Sequence, residues 1–325
     1  MVTVSAPGKI HLMGEHAVVY GKPALLAAIN IRLYASVEAR KTGVSIQTAE
    51  TEDYVRHIIN VVQQELGIET PPGMKITIAS QIPAGYHLGS SAAVAVATAG
   101  ALLFFLKKIW NPVIINKLAY EAEKKQHGNP SGGDNTAVAF GGFVWFRKEL
   151  EFLKSMWQLP FKPHADTDHF FLINTGKPRE TTGEMVARVA QLAKNQSSKM
   201  EKLLQTNERQ TKRMAAALRD GNENELLDAM RVGERTLEGM GVVSKKVIPF
   251  IRAIEKSGGA AKILGGGGKK DGVGFLLCYH RDVGNSEKIA KPFGYTMKHI
   301  RLGEEGVRLE SGKMHPTKQT REGHL

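Results

Sequence analysis

Residues 83–93 read PAGYHLGSSAA, a turn of small residues that runs directly into an apolar segment, Ala92 to Leu106. The pattern predicts a loop followed by a buried helix after Ser91. The first N–H groups of a helix have no intrahelical partner, and the helix dipole places partial positive charge there. Because glycines also let an anion approach the backbone closely, the segment indicates a phosphate-binding loop. The alternative is a plain serine N-cap on a buried helix, and the GxxxxGK[ST] phosphate loop is absent from the chain.

A second glycine-rich segment, residues 127–135 with the sequence HGNPSGGDN, follows a stretch of helical periodicity. We predict a loop here. Asp134, which comes after two glycines, has the chemistry of a positioned general base. Glu123, on the preceding helix, offers the hard oxygen atoms that Mg²⁺ prefers. Read alone, the same residues also fit a solvated turn with an Asx cap.

Two further segments carry residues that suit phosphate chemistry. Lys9 ends a short strand in the sequence APGKI, residues 6–10, and could neutralise a carboxylate or a phosphate; a surface lysine is the alternative. His16, within the sequence GEHA, could be catalytic or structural. Gly265 to Gly268 precede a predicted strand, where four glycines let the backbone pass close to a ligand or form a flexible hairpin.

The remaining periodicity indicates an α+β protein of two domains, which a length of 325 residues allows. Alternating strands dominate the first half and helical patterns the second, so we place the boundary near residue 165 and expect domains 1–165 and 166–325. The polar tail after about residue 312 is expected to be loosely ordered. The predicted helices are Asp53–Leu66, Ile114–Lys125, Thr182–Arg219, Glu223–Leu237 and Val247–Lys256, and further predicted strands are Lys75–Ala79, His169–Asn174 and Gly274–Tyr279.

Composition excludes several classes of protein. Apolar residues make up 42% and charged residues 23%, which argues against disorder, collagen and coiled coil. Cys278 is the single cysteine, so an intramolecular disulfide cannot form and a thiolate zinc site is not expected. The longest apolar stretch, about 15 residues, is shorter than the roughly 18 of a membrane span. The N-terminus lacks the pattern of a signal peptide, so we expect a cytoplasmic protein that does not insert into membranes.

The formal net charge of +12 leaves three interpretations open: nucleic-acid binding, general solubility and attraction of an anionic small substrate. Aromatic residues do not alternate with the basic ones as a single-strand binder requires. We therefore expect a small-molecule substrate and no nucleic acid.

Together these motifs resemble the GHMP kinases, and they occur in the order found in that superfamily. Residues 14–24, GEHAVVYGKPA, and the segment around Asp134 are most similar to the mevalonate kinases within it, as is NTGKPRET at residues 174–181. The resemblance implies a two-domain GHMP kinase fold. Its N-terminal domain would be like ribosomal protein S5 domain 2, and its C-terminal domain would be ferredoxin-like.

The resemblance also implies ATP-dependent, Mg²⁺-assisted phosphorylation of the 5-hydroxyl of mevalonate. By similarity, Asp134 is the catalytic carboxylate that accepts or orients the hydroxyl proton, and Lys9 beside it stabilises the transferring group. Ser91 and Glu123 match the magnesium ligands, and Gly265 to Gly268 would close the site from the second domain. The implied nucleotide-binding residues are Gly85, His87, Leu88, Gly89, Ser90, Ser91 and Ala92, and the implied substrate-binding residues are Glu15, His16, Asp134 and Thr181.

The chain departs from the family pattern at three places. His87, preceded by Tyr86, stands where the phosphate loop usually has its second glycine, and could either obstruct a phosphate or donate a hydrogen bond to it. Leu264 precedes the glycine run, and the pair Lys269-Lys270 follows it. Three alternatives therefore stay open: phosphomevalonate kinase, mevalonate 3-kinase, and a GHMP-fold sensor without turnover. Enzymes similar to this family are commonly homodimers, and we therefore expect that this chain also pairs with a second copy of itself.

Overall fold

The computed structural model describes residues 1–49, 51–127, 130–150, 153–162 and 167–311, with the side chains of 126 and 127 excepted. Nine α-helices lie within these ranges: α1 (Glu52–Leu66), α2 (Ser90–Lys107), α3 (Pro112–His127), α4 (Gly133–Phe140), α5 (Thr182–Asn195), α6 (Ser197–Asp220), α7 (Glu223–Met240), α8 (Ile248–Lys256) and α9 (Val283–Ala290). The strands are β1 (Val2–Met13), β2 (Ala24–Ala39), β3 (Val44–Gln47), β4 (Met74–Ser80), β5 (Phe143–Lys148), β6 (Lys154–Gln158), β7 (Phe170–Asn174), β8 (Ala260–Ile263), β9 (Phe275–Tyr279), β10 (Thr296–His299) and β11 (Arg308–Leu309).

The first sheet is built around a long antiparallel pair, β1 and β2. Its main strand order is β11-β1-β2-β4-β3, with β5 on β2 and β6 on β5. All its pairs in the described chain are antiparallel except β3 with β4. The register of β1 on β2 shifts between Pro7 and Gly8 and again between His11 and Met13. Because such irregularities change the direction in which side chains point, they affect the orientation of the residues between Gly8 and His11.

Helix α2 forms the centre of the first domain. Every residue from Ala92 to Leu103 is buried, and the helix packs on β1 and β2 and on α1 and α3. A helix that is apolar on all sides must be covered on all sides, which explains why three helices, α1, α3 and α4, and two strands surround it. Its composition and length alone would suit a membrane span, but 67% of that segment is buried inside the fold.

The second sheet is four antiparallel strands in the order β10-β7-β9-β8. Helices α7 and α8 pack against its edge strand β8. The chain changes sheets between Gln158 and Phe170, and β11 then returns to pair with β1 through Ser5 and Arg308. The architecture is α+β, as the sequence pattern predicts. The domain boundary near residue 165 stays a prediction, and residue 165 itself lies outside the described residues.

The structure confirms most predicted elements to within a few residues and corrects three. Lys9 does not end a short strand, because β1 is 12 residues long and continues through Lys9 to Met13. Thr182–Arg219 is not one helix: the chain breaks at Gln196, whose φ of −138° is not helical. Residues 127–135 are not loop throughout, because α4 begins at Gly133 and places Asp134 in its first turn. Gly128, Asn129 and the tail beyond residue 311 lie outside the described residues.

Candidate active site

The centre of the site is an ion pair between Lys9 and Asp134. The Nζ atom of Lys9, on β1, lies 2.9 Å from Oδ2 of Asp134, in the first turn of α4. The Lys9 side chain is 5% exposed and that of Asp134 is 38% exposed. The lysine is therefore fixed inside the fold, while its partner carboxylate stays within reach of a ligand.

The phosphate loop holds Lys9 directly. The backbone N–H of Lys9 donates to the carbonyl oxygen of Leu88 at 2.9 Å. A Cβ on Gly89 would lie 2.7 Å from Cγ of Lys9, so only glycine leaves room for the lysine stem at this position. The loop that was expected to bind nucleotide and the lysine that was expected to stabilise the reaction are thus one packed unit.

Two opposing effects set the charge of Asp134. Burial disfavours the carboxylate, but the Lys9 ammonium at 2.9 Å and the His11 imidazole at 3.5 Å outweigh it and hold the pKa of Asp134 well below its usual range. The negative charge also lies at a helix N-terminus, where the dipole favours it. Asp134 is therefore an anion at any physiological pH, which suits a group that orients a hydroxyl.

The loop before α2 has the backbone of an anion site. Gly85, His87 and Gly89 all have positive φ, at 81°, 62° and 78°. Gly89 is the N-cap of α2 and has no side chain to accept from the first N–H groups of the helix. Those groups belong to Ser90, Ser91 and Ala92, so the segment fits a phosphate by the physics of helix N-termini. Its role in nucleotide binding stays a prediction.

The predicted magnesium ligands lie together. The hydroxyl of Ser91, on α2, donates to Oε1 of Glu123, on α3, at 2.6 Å. The hydroxyl of Tyr54, on α1, lies 3.4 Å from the same oxygen. Burial and the Glu123 charge raise the pKa of Tyr54 far above its usual range, so the phenol stays protonated and donates. The hydroxyl oxygen of Ser91 and Oε1 of Glu123, both hard oxygen ligands, therefore lie next to each other beside the phosphate loop.

This set of oxygens suits Mg²⁺. Within the described ranges, no three His, Cys, Asp or Glu side chains form a metal cluster. Mg²⁺ is usually held by one or two carboxylates together with substrate phosphates and water, so Ser91 and Glu123 beside a phosphate loop are a fitting pair. Their assignment as magnesium ligands remains an expectation.

The predicted substrate residues Glu15 and His16 contact residues of β8 and of the glycine-rich turn. Glu15 forms a buried ion pair with Lys262 of β8, whose side chain is 0% exposed. Lys262 also donates to the carbonyl oxygen of Ile263 at 2.7 Å. The Nε2 atom of His16 lies 3.1 Å from the carbonyl oxygen of Gly266, and burial lowers the pKa of His16. Glu15 therefore joins the segment of residues 14–24 to β8, and His16 joins it to the glycine-rich turn.

The glycine-rich turn, Gly265 to Gly268, also contacts the phosphate loop through His87. A Cβ on Gly265 would lie 2.5 Å from Cβ of His87. Burial, followed by the positive charge of Lys9, lowers the pKa of His87 to about 4, so its imidazole is neutral at pH 7. Lys269 and Lys270, which follow the turn, are exposed.

Thr181 lies at the N-cap of α5. Its hydroxyl accepts from the backbone N–H of Glu184 at 3.2 Å, and the Glu184 carboxylate accepts from the Thr181 N–H at 2.7 Å. This is a capping box, which fixes the start of the helix. Within the described contacts Thr181 has a structural task, and its role toward substrate stays a prediction.

Sequence reasoning missed three residues that the structure brings to the site: His11, Tyr54 and Lys262. His11 could have been found, because side chains two apart on a strand share a face, and Lys9 is two residues away. Tyr54 and Lys262 carried no local signal, since their partners lie 69 and 247 residues away in the sequence.

A separate cavity lies away from the Lys9–Asp134 pair. About 810 Å³ of space is lined by residues of α6 and α7, among them Lys202, Thr206 and Arg235. None of the predicted site residues lines it. Its lining consists of basic, amide, hydroxyl and aliphatic side chains without a carboxylate, so it does not compete with the Lys9–Asp134 pair as a catalytic centre.

Known proteins place this site in a family. The GHMP kinase N-terminal domain model matches residues 53–142. Mevalonate kinase of Pyrococcus abyssi is 31% identical over 95% of this chain and 98% of its own length. The enzyme of that name from Archaeoglobus fulgidus is 34% identical over 81% of this chain and 88% of its own. The crystal structure of L. major mevalonate kinase in complex with R-mevalonate has a TM-score of 0.79 at 20% identity, covering 93% of this chain and 96% of that one. The chain belongs to the mevalonate kinase family of the GHMP kinases.

Proposed function

We propose that the chain is an ATP:mevalonate 5-phosphotransferase, which moves the γ-phosphoryl group of ATP to the 5-hydroxyl of mevalonate. The observation that carries the proposal is the Lys9–Asp134 ion pair, held at 2.9 Å against the phosphate loop. Membership of the mevalonate kinase family supplies the substrate.

The proposed chemistry needs little from the protein beyond position and charge, since the phosphoryl group passes through a loose transition state. Asp134, whose pKa is held well below its usual range, is too weak a base to remove a hydroxyl proton early. It orients the 5-hydroxyl as a hydrogen-bond acceptor and takes the proton late, when the new P–O bond has acidified it. Lys9 keeps Asp134 ionised and offsets the negative charge of the transferring group.

The N-terminus of α2 suits the triphosphate, because its first N–H groups and its dipole favour an anion. Ser91 and Glu123 would hold Mg²⁺, which supplies charge neutralisation to the phosphates when bound. His16 and the Gly265–Gly268 turn would exclude water from the substrate side, since they join the two domains there.

The test is ADP release from Mg·ATP by purified protein with mevalonate, 5-phosphomevalonate or homoserine, and ³¹P NMR of the product. The expected result is turnover of mevalonate to the 5-phosphate. Turnover of 5-phosphomevalonate, or a 3-phosphate product, would make the chain another kinase of this pathway. Saturable nucleotide binding without any turnover would favour the sensor. The variant Asp134→Asn tests whether the turnover comes from the proposed site. It should lower kcat by at least about 10²-fold while substrate binding persists.

We further propose that the enzyme works in the cytoplasm as a homodimer, without a membrane or nucleic-acid partner. Light scattering of the purified chain tests the oligomeric state. A monomer at micromolar concentration would contradict the homodimer and leave the activity proposal intact.

A further inference from the structure

His11 lies beside the Lys9–Asp134 pair, and the mechanism proposed above gives it no role. It lies two residues from Lys9 on β1, between the two register shifts in the pairing with β2. Its Nε2 atom is 3.5 Å from Oδ1 of Asp134, at the outer limit of a hydrogen bond, while Lys9 holds Oδ2 at 2.9 Å. The two carboxylate oxygens thus face two different donors.

The tautomer of His11 follows from this arrangement. An ionised carboxylate only accepts, so the proton must be on Nε2 for the contact to be attractive. The Nδ1 atom is buried and has no hydrogen-bond partner among the described residues. A bare nitrogen is tolerated there better than a buried N–H without an acceptor, which favours the neutral imidazole. Since Nδ1 is sealed from solvent, His11 cannot itself take a proton from a substrate in this arrangement.

We infer that His11 is a positioning residue for phosphoryl transfer: its Nε2–H holds Oδ1 of Asp134 so that the carboxylate cannot rotate away from the hydroxyl that it orients. The inference rests on the proposed kinase function. Lys9 alone restrains one oxygen weakly, because the rotatable N–H donors of its ammonium can follow Oδ2 as the carboxylate turns about the Cβ–Cγ bond. A second donor on the other oxygen removes that freedom, and small errors in orientation lower the rate of transfer strongly.

A paired substitution separates this role from packing. His11→Leu keeps the approximate volume and removes the donor, whereas His11→Gln places an N–H near the position of Nε2. We expect His11→Leu to lower kcat about tenfold, with KM for mevalonate and ATP within about threefold of wild type, as for loss of one hydrogen bond to a charged group. His11→Gln should return kcat to within about threefold of wild type. His299→Leu, on the exposed strand β10, is the matched control and should change nothing.

Two kinetic results would overturn the inference: an unchanged kcat in His11→Leu, or equal impairment in His11→Gln. A measurement without substrate covers the case in which a variant fails to fold. The ¹⁵N resonances of the His11 ring in the wild-type protein should show a protonated Nε2 and a bare Nδ1, and Asp134→Ala should shift Nε2. An Nε2 atom without a proton could not donate to Oδ1 of Asp134, and this result would overturn the inference. If the wild type turns over none of the substrates, the proposed function fails, and the ring resonances still report whether His11 and Asp134 interact.

Discussion

The side chain of His87 occupies the space into which a side chain on Gly265 would project. A Cβ on Gly265 would lie 2.5 Å from Cβ of His87, and both residues have a φ of 62°. The left-handed conformation explains why this loop position favours glycine, since a side chain there costs about 1 kcal/mol or more. The chain tolerates His87 because the ring gains a packing surface on the opposite domain. The ring of Tyr86, the preceding residue, packs likewise against Phe275 at 5.1 Å.

Substitution of Gly265 by alanine should therefore disable the site. The new methyl group would push His87 and the phosphate loop away from the turn, and we expect kcat/KM for ATP to fall by at least about tenfold, as a misplaced binding group does. Steady-state kinetics with varied ATP measure the change.

The control for Gly265→Ala is Gly67→Ala. Gly67 has a φ of 63° but open space around a Cβ, so it reproduces the backbone strain without the collision. Combining Gly265→Ala with His87→Gly should recover much of the lost activity, because the collision partner is gone. If the double variant is as poor as Gly265→Ala alone, the contact between the two residues is not the cause.

Glu123→Gln should raise the Mg²⁺ concentration needed for half-maximal activity by about tenfold, since a neutral amide replaces a hard anionic oxygen. Titration of activity with MgCl₂ at fixed ATP measures this shift. Glu121→Gln, on the same helix α3 but paired with exposed Lys124, is the matched control and should leave the titration unchanged. An unshifted curve for Glu123→Gln would remove Glu123 from the metal site.

The buried pair Lys262–Glu15 predicts an effect on stability. Both side chains are almost fully buried, at 0% and 1% exposure, so Lys262→Ala leaves a carboxylate without its counter-charge. We expect the free energy of unfolding to fall by about 3–5 kcal/mol, measured by urea denaturation at pH 7. Lys124→Ala breaks an exposed pair with Glu121 and should change it by less than about 1 kcal/mol.

A double replacement tests whether the pair acts through charge. Glu15→Leu with Lys262→Met exchanges both ions for apolar groups of similar size, which is often neutral for stability. Recovery of most of the loss would support the electrostatic explanation. Continued destabilisation would mean that the hydrogen bonds of Lys262 to backbone carbonyls matter more than its charge.

The sequence was informative wherever the pattern was local. Helix α2 could be predicted because a long apolar run without a charged residue has no solvent-facing side, and α1 because its apolar residues recur with helical spacing. Helix α4 could not, since two glycines at its start are more typical of a loop and the helix has only eight residues. The break at Gln196 also escaped prediction, because neither glycine nor proline marks it.

The site residues show the same difference between local patterns, which could be predicted, and distant contacts, which could not. Lys9, Asp134, Ser91 and Glu123 were identified by their resemblance to family motifs, and the structure brings each expected pair into contact. The assignment of Glu15 to the substrate rested on the same resemblance and stays a prediction. Its buried partner, Lys262, comes from the other sheet, and pairing over such sequence distances depends on the tertiary fold.

Glu234, on α7, gives a prediction about pH. It is fully buried, and this burial raises its pKa to about 8 even though Oε2 accepts from the Ile263 N–H at 3.0 Å. The unfolded chain releases this proton near the usual value of 4.5, whereas the folded chain keeps it to about pH 8. The stabilisation is therefore fully present below pH 4.5 and is lost as pH rises toward 8, at no more than about 1.4 kcal/mol per pH unit.

Glu234→Gln should remove this dependence, because the amide stays neutral and its oxygen can accept from Ile263. Urea denaturation between pH 5 and pH 8.5 should show the variant gaining stability over wild type as pH rises, while the exposed Glu287→Gln control runs parallel to wild type. Parallel curves for Glu234→Gln would mean that Glu234 is already ionised at pH 5. The fold would then bury two carboxylates, Glu15 and Glu234, near the ammonium of Lys262. That arrangement is much less stable than the balanced pair that a neutral Glu234 leaves.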